Sequence, residues 1–453
     1  MTSDSTFYVF YDFYVSDIPM KRLVQRLIQA QAKKILAAYR PAVVAVTGSV
    51  GKTSARNAIA AVLGARFRVG VPPGNYNNEF GVPLAVIGAT SPGRSVRGWL
   101  RVLWKAQRLL WRRDPAYPSL LVLEYGADKP GDIAALCRFA APDAAVWTSV
   151  SPVHAANYPS VERLAQEKAE IIRCAKPSGE AFLNADDAAV MAHRAQAAVP
   201  TRTYGLSPNA DVRAENVEAD APPRAAYAPA DAPFSAATFD LAVGGDRAAV
   251  RLPGAVGRTA VSAALAAAAV GLRFGLSLRE IAARLADVKT EPGRLRPLAG
   301  VKGCLVLDDT YNAAPAAMAA ALDALARWPV ADGARRIAAL GHMAELGALS
   351  EQEHRLVGMQ AATSCDALVV AGEMARDIAR GAREAGMDAE HVVEVKDAIE
   401  AGRWLDAHVR AGDVVLVKGS QSARMEKAAK DILAEPDRAA ELLPRQYGKW
   451  VED

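Results

Sequence analysis

The sequence has little of several things, and each shortage excludes a class of protein. Its four cysteines, Cys137, Cys174, Cys304 and Cys365, lie far apart with no C-x-x-C pair. That pattern fits a reducing cytoplasm and argues against both a disulfide framework and a thiolate zinc site. No apolar run reaches the roughly 18 to 20 residues that span a bilayer. The longest candidate, around 260–272, is rich in alanine and reads as a packed helix. A cleavable leader is not expected, because Asp4 and Asp12 stand among aromatics where a basic region and an apolar core are needed. Charge is nearly balanced, and a net +4 is too small to argue for nucleic acid. No internal repeat is visible. What remains is a globular composition, 51% apolar and 23% charged, in 453 residues. That length is too great for one core, so two or three domains are expected.

The most informative stretch is Thr47-Gly48-Ser49-Val50-Gly51-Lys52-Thr53-Ser54. It follows an apolar run, Ala42 to Val46, that reads as a buried strand, and precedes Ala55 to Leu63 with helical spacing. A strand passing through a glycine-rich turn into a helix aims backbone N–H groups and the helix dipole at one point, which suits a phosphate. Lys52 then reaches the β- and γ-phosphates of ATP, and the Thr53 hydroxyl sits on Mg²⁺. Position 46 is Val, so the loop is a shortened form of the G-x-x-x-x-G-K-[ST] pattern.

Upstream, residues 6–15 are dense in aromatics (Phe7, Tyr8, Phe10, Tyr11, Phe13, Tyr14). Met20, Leu23, Val24, Leu27, Ile28 and Ile35 then recur at helical spacing among basic residues, with Gln31 interrupting the stripe. From Val43 onward strand and helix signals alternate, as in a parallel sheet covered by helices. Between about 208 and 253 the pattern changes to short antiparallel strands and loops. A second alternation starts at Cys304, with strands at 305–307, 336–340, 367–370 and 414–417, and 291–294 reads as a hinge. The expected divisions are a short helical appendage at 1–40, an α/β phosphate-loop domain with a mostly parallel sheet at 41–292, and a Rossmann-like α/β domain at 293–453.

Several further motifs occur in order. They are Asn75-Tyr76-Asn77-Asn78-Glu79-Phe80-Gly81-Val82-Pro83, Leu123-Glu124-Tyr125-Gly126-Ala127, His154, and Gln166-Glu167-Lys168-Ala169-Glu170. Later come Leu183-Asn184-Ala185-Asp186-Asp187, Pro292-Gly293-Arg294-Leu295, Asp308-Asp309-Thr310-Tyr311-Asn312-Ala313-Ala314-Pro315, Leu340-Gly341-His342-Met343-Ala344-Glu345-Leu346-Gly347 and Lys418-Gly419-Ser420-Gln421-Ser422-Ala423-Arg424-Met425-Glu426-Lys427. Over roughly 41–435 the chain resembles the Mur ligase family, the ATP-dependent amide-forming enzymes of peptidoglycan precursor synthesis, and within it the branch that adds D-alanyl-D-alanine. The resemblance implies a cytoplasmic enzyme in which ATP phosphorylates a substrate carboxylate and an amine attacks the acyl phosphate, giving an amide, ADP and phosphate. It assigns the nucleotide to Gly48, Ser49, Val50, Gly51, Lys52, Thr53, Ser54, Arg294 and Asp309. It assigns two Mg²⁺ ions to Thr53, Glu124, His154 and Lys168, the lysine carbamylated by CO₂. Lys52, Glu124, His154 and Lys168 are its catalytic set. Asn77, Asn78, Tyr311, Asn312 and Lys418 fall on the side of the muramyl-peptide and D-Ala-D-Ala. For Lys168 the other reading is a solvated lysine on a helix beside Glu167 and Glu170.

The chain also departs from the family pattern. About 40 residues precede the phosphate loop, too few for the usual domain that holds a UDP-sugar. The stretch 257–265 lacks the family's adenine-contacting His and Asn side chains, His342 stands in place of an Asp, and Ala314 in place of an Asn. Residues 94–113 hold seven basic residues, three tryptophans and no acid. On a helix Arg97, Arg101, Lys105, Arg108 and Arg112 share a face, with Leu100, Leu103, Trp104, Leu110 and Trp111 largely opposite. This is either a helix in a membrane interface or one that packs its Trp/Leu side on the protein. Two other functions stay open: a Mur-type ligase with another carboxylate acceptor, a lipid-linked one included, and a non-catalytic nucleotide-binding protein that docks at a membrane.

Overall fold

The computed structural model describes residues 18–72, 74, 76–93, 95–152, 157–448 and 450. The aromatic segment at 6–15 and His154 lie outside the described residues.

The first sheet contains β1 (Ala42–Thr47), β2 (Val69–Gly70), β3 (Leu120–Glu124), β4 (Ala144–Trp147), β5 (Glu180–Asn184), β6 (Thr201–Gly205), β7 (Val212–Asp220), β8 (Ala236–Val243) and β9 (Asp246–Pro253). Their order is β2-β3-β1-β4-β5-β6-β7-β8-β9. Pairing is parallel through β7, and β8 and β9 continue it as antiparallel strands. β1 reads as an unbroken apolar run because both of its faces are covered. Val43 and Ala45 enter one core and Val44 and Val46 the other, the period of two that a strand imposes.

The first core lies under α1 (Ile18–Tyr39), α3 (Gly81–Ile87), α4 (Val96–Trp111), α5 (Asp132–Phe139) and α6 (Val161–Arg173). The second lies under α2 (Lys52–Leu63) and the helices Gly257–Arg273 and Leu278–Leu285. The alanines that made 260–272 look like a membrane candidate are what let its helix lie close on α2. No helix among the described residues is long and apolar enough to cross a membrane.

The second sheet holds β10 (Arg296–Ala299), β11 (Leu305–Asp309), β12 (Arg336–Gly341), β13 (Ala367–Ala371), β14 (Val392–Val395) and β15 (Val414–Lys418), in the order β10-β11-β15-β12-β13-β14. Only β10 runs antiparallel. The four strands expected here all form. β10 and β14 escaped notice because an edge strand of four residues carries almost no periodic signal.

Three expectations are corrected. Cys137 and Cys174 form a disulfide, with Cα atoms 6.0 Å apart. The helices α5 and α6 pack together and bring into contact two residues that sequence spacing keeps 37 apart. Gln31 does not weaken the second half of α1. Ile28, Ala32 and Ile35 are wholly buried, the Gln31 amide donates to Gln107 Oε1 at 3.3 Å, and the Tyr39 hydroxyl donates to the Leu109 carbonyl at 2.9 Å. The buried stripe of α4 is Trp99, Val102, Ala106 and Leu109, so Leu100, Trp104 and Trp111 are left on the surface.

Because Ile28 is fully enclosed, α1 is part of the first core. Ile28→Ala should lower the stability of this half by about 2–4 kcal/mol, read as a drop in thermal midpoint. An unchanged midpoint would mean that α1 is a detachable appendage.

Candidate active site

Both sheets direct the carboxyl ends of their parallel strands at one cavity of about 470 Å³, the position where open α/β sheets hold ligands. From the first sheet come Ser49 to Ser54 after β1, Asn77 and Asn78 before α3, and Glu124 at the end of β3. From the second come Asp309 at the end of β11, Tyr311 and Asn312 just beyond it, and Lys418 at the end of β15. Arg294, on the segment joining the two halves, lines it as well. Gly48 and Lys168 do not line it, and His154 is outside the described residues.

Steric need explains the glycine in the phosphate loop. At Gly48, with φ +149°, a Cβ would lie 2.0 Å from the Thr148 hydroxyl oxygen. Residues 148–151 brace the loop through that close approach. The Thr148 hydroxyl donates to the Val50 carbonyl at 2.6 Å, Val50 N–H donates to Ser149 Oγ at 2.9 Å, and Ser49 N–H donates to the Ser149 carbonyl at 2.9 Å. Helix α2 starts at Lys52 with no side-chain cap and no acid in its first turn. Its leading N–H groups and positive dipole end therefore face the cavity, the arrangement that binds anions. The Lys52 ammonium folds back to donate to the Gly48 carbonyl at 2.6 Å. Burial holds it below the usual lysine range, with Arg294 adding to the effect and Glu124 and Asp128 opposing it.

Glu124 is completely buried, and neither carboxylate oxygen accepts a hydrogen bond among the described residues. Its close counter-charge among the described residues is Arg56, 3.0 Å away and 2% exposed. Arg56 also donates to the Gly74 carbonyl at 2.7 Å and pairs with Glu291 at 3.2 Å, and Asn57 donates to the same Glu291 oxygen at 2.6 Å. An anionic oxygen pair without hydrogen bonds, beside the Thr53 hydroxyl and an anion-binding helix end, fits a hard divalent cation. No cluster of three His, Cys, Asp or Glu forms a ready-made metal site among the described residues.

Lys168 is 2% exposed on α6 and makes no hydrogen bond among the described residues. Burial, and then the charge of Lys52, push its ammonium well below the usual lysine range against Asp128 and Glu167. The solvated-lysine reading is thereby excluded.

On the opposite wall Asp309 is fully engaged. One oxygen accepts from Leu295 N–H at 3.1 Å and the other from the buried Lys418 ammonium at 2.6 Å, which also donates to the Asn312 carbonyl at 2.9 Å. Gly293, with φ +73°, lets the joining segment press against Tyr311, where a Cβ would stand 2.8 Å from Tyr311 N. The Arg294 guanidinium lies 4.0 Å from the Tyr311 ring centroid and donates to Thr53 Oγ1 at 3.3 Å, so the two halves meet at the loop threonine. Beneath them Asp308 accepts from Gly293 N–H at 2.7 Å and from the Thr310 hydroxyl at 2.6 Å, and burial raises its carboxyl to about 6.

The matches to known proteins agree with this two-sheet site. Residues 104–271 match the Mur ligase middle domain, and residues 293–421 match the Mur ligase glutamate ligase domain. The UDP-N-acetylmuramoyl-tripeptide–D-alanyl-D-alanine ligase of Mycobacterium leprae is 35% identical over 416 residues, 86% of this chain and 73% of that protein. The chain belongs to the Mur ligase family. The ligase of the same name from Escherichia coli is 31% identical over 398 residues, 86% of this chain and 76% of that protein. The crystal structure of MurF ligase from Thermotoga maritima in complex with ADP superposes with a TM-score of 0.72 at 25% identity, covering 97% of this chain and 87% of that one.

Sequence reasoning missed several residues that this Mur ligase cavity uses. Arg56 had a visible signal, a charged residue on the face of α2 that otherwise carries Ala55, Ile59 and Val62 to the core. Ser422 and Glu345, which stand within two of the family motifs but were given no role, line the cavity as well. His342, in the place of the family Asp, forms a 2.8 Å hydrogen bond through Nε2 with the Ser422 hydroxyl. Burial, and then His354, lower it from 6.5 to about 4, so it is neutral at neutral pH.

In the unfolded chain His342 takes a proton near 6.5, but in the fold only near 4. Its contribution is therefore intact above pH 6.5 and is lost as pH falls toward 4, by up to about 3 kcal/mol. Asp308 has the opposite sign between 3.8 and about 6 and masks part of this slope. His342→Asn should gain thermal midpoint relative to the parent chain as pH drops from 7 to 5. A pH-independent difference would show that the imidazole is not held neutral.

Proposed function

We propose that the chain is an ATP-dependent, ADP-forming amide ligase acting in the cytoplasm. It joins D-alanyl-D-alanine to a nucleotide-linked muramoyl-tripeptide in peptidoglycan precursor synthesis. The observation that carries this reading is the single cavity walled by both sheets, with Arg294 reaching across to Thr53. Similarity to relatives named for this reaction supports the choice of substrates.

In this mechanism ATP phosphates sit on the N–H groups opening α2, with Gly48, Ser49, Val50, Gly51 and Ser54 shaping the loop. Lys52 moves from the Gly48 carbonyl to the β- and γ-phosphates, where charge grows as the γ-phosphoryl group passes to the substrate carboxylate. Thr53 and Glu124, with His154 and Lys168 as further candidates, hold Mg²⁺, which neutralises phosphate charge when bound. Arg294 approaches the phosphates from the second half, and Asp309 borders the ribose. Asn77, Asn78, Tyr311, Asn312 and Lys418 form the walls for acceptor and amine. The amine attacks the acyl carbon, the C–N bond forms as the C–O bond to phosphate breaks, and phosphate leaves. Closing both halves over the acyl phosphate keeps water from it.

The Lys168 amine, whose charged form is disfavoured by burial and then by Lys52, suits carbamylation. Its nitrogen lone pair bonds to the carbon of CO₂, and the nitrogen loses a proton. The resulting anion attracts Lys52 and a cation where an ammonium would repel both.

Phosphate release should require ATP, Mg²⁺, UDP-MurNAc-tripeptide and D-Ala-D-Ala together, with the joined pentapeptide seen by mass spectrometry. Lys52→Ala should reduce the rate about 10³-fold or more. Phosphate without the joined product would reject the substrate assignment. With isotopically labelled bicarbonate, NMR should show a carbamate carbonyl resonance that Lys168→Arg lacks. The same spectrum in both proteins would rule out modification at this lysine.

A further inference from the structure

The outer sides of α1 and α4 are unlike the rest of the molecule. The 22 residues of α1 carry five basic residues and no acid, and 94–113 carry seven and no acid. The whole chain has a net charge of only +4, so everything outside these two segments is acidic on balance. The two helices are neighbours, joined by the Gln31–Gln107 and Tyr39–Leu109 hydrogen bonds. Amid this charge sit large apolar side chains turned away from the core. Leu100 is 61%, Trp104 59% and Trp111 77% exposed on α4, and Leu23 and Leu27 are exposed on α1.

We propose that this two-helix face is a docking surface for an anionic lipid bilayer. Leu100, Trp104 and Trp111 follow one another at helical spacing on the side of α4 opposite Trp99, Val102, Ala106 and Leu109, which anchor it to the core. The helix is thus fixed on one side and amphipathic again on the other. Trp prefers the headgroup boundary, with its ring in apolar surroundings and its N–H in water. Around it Arg97, Arg101, Arg112 and Arg113 are exposed and paired with no acid among the described residues, and Arg108 lies 5.5 Å from the Trp104 ring centroid. Long arginine stems can lie along the apolar strip while their heads stay with lipid phosphates. Charge decides in favour of lipid over another protein surface, because the basic residues of α1 and of 94–113, with no acid within either segment, surround Trp and Leu and complement a leaflet of anionic headgroups.

The position also serves the cavity. α3 runs from just beyond Asn77 and Asn78 to Gly88, whose carbonyl accepts from Lys105 of α4. The docking face is therefore one short helix away from a cavity wall. The proposal does not depend on the ligase reading, and its test leaves that reading untouched.

The full-length chain is sedimented with vesicles of phosphatidylglycerol and phosphatidylcholine, and with vesicles of phosphatidylcholine alone, at low and high salt. Partitioning to the anionic vesicles should exceed that to the neutral ones and fall with salt. Arg97→Gln, Arg101→Gln and Arg112→Gln together should weaken it about 100-fold, roughly five-fold for each charge. Trp104→Ala with Trp111→Ala should weaken it about ten-fold. All these side chains are exposed and away from the cavity, so thermal midpoint and phosphate release in vesicle-free solution should not change. Equal partitioning to both vesicle types, or partitioning that neither variant alters, overturns the proposal. Self-association without lipid that the tryptophan variant abolishes would instead assign the face to a second copy of the chain.

Discussion

A carboxylate buried without hydrogen bonds is among the most expensive groups a fold can hold, and this cavity is organised around one. Glu124 is closed off from solvent, neither oxygen accepts a hydrogen bond among the described residues, and its closest compensation there is the Arg56 guanidinium 3.0 Å away. Such a charge persists only where surrounding positive charge offsets its desolvation. Lys52, the N-terminal end of α2 and Arg294 all add positive charge to the cavity that Glu124 lines. Strand β3 has to end where it does, because one residue further along the pleat would turn the carboxylate to the other core.

Neither half of the molecule makes a complete site. The first sheet offers positive potential and orphaned oxygens, and the second offers Asp309 already committed to Lys418 and Leu295. They also pack directly: Tyr227 and Phe234 enter the core of the second sheet, where Trp328 donates to the Tyr227 hydroxyl at 3.2 Å, and at the cavity Arg294 donates to Thr53 while Arg56 and Asn57 hold Glu291.

Much of this was legible beforehand where the chain carries a strong periodic or glycine signal. β1, the loop, α2 and the four inner strands of the second sheet were readable because buried parallel strands are continuous apolar runs. Glu124 was readable at the end of an apolar strand, whereas Arg294 and Lys418 came from the resemblance to the family. The fold around 137 and 174 was not, since cysteine spacing says nothing of which helix ends meet. Nor was the facing of α4, where leucine and tryptophan occupy almost every turn, so sequence alone could not say which stripe the core takes. Arg56 went unread despite its place on the core face of α2, because a helical arginine is ordinarily a surface residue and the partners that explain its burial lie 68 and 235 residues away.

That arginine has a further consequence. One guanidinium is shared between two carboxylates, Glu124 in the phosphate site and Glu291 on the segment joining the sheets. A cation arriving at Glu124 competes with Arg56 for the same negative charge and leaves the guanidinium freer to favour Glu291. By reciprocity, whatever tightens the Arg56–Glu291 contact makes Glu124 a better ligand for a cation. Arg56 is thus a balance arm between occupancy and posture, and the filling of one site is felt as tension in the joint that closes it.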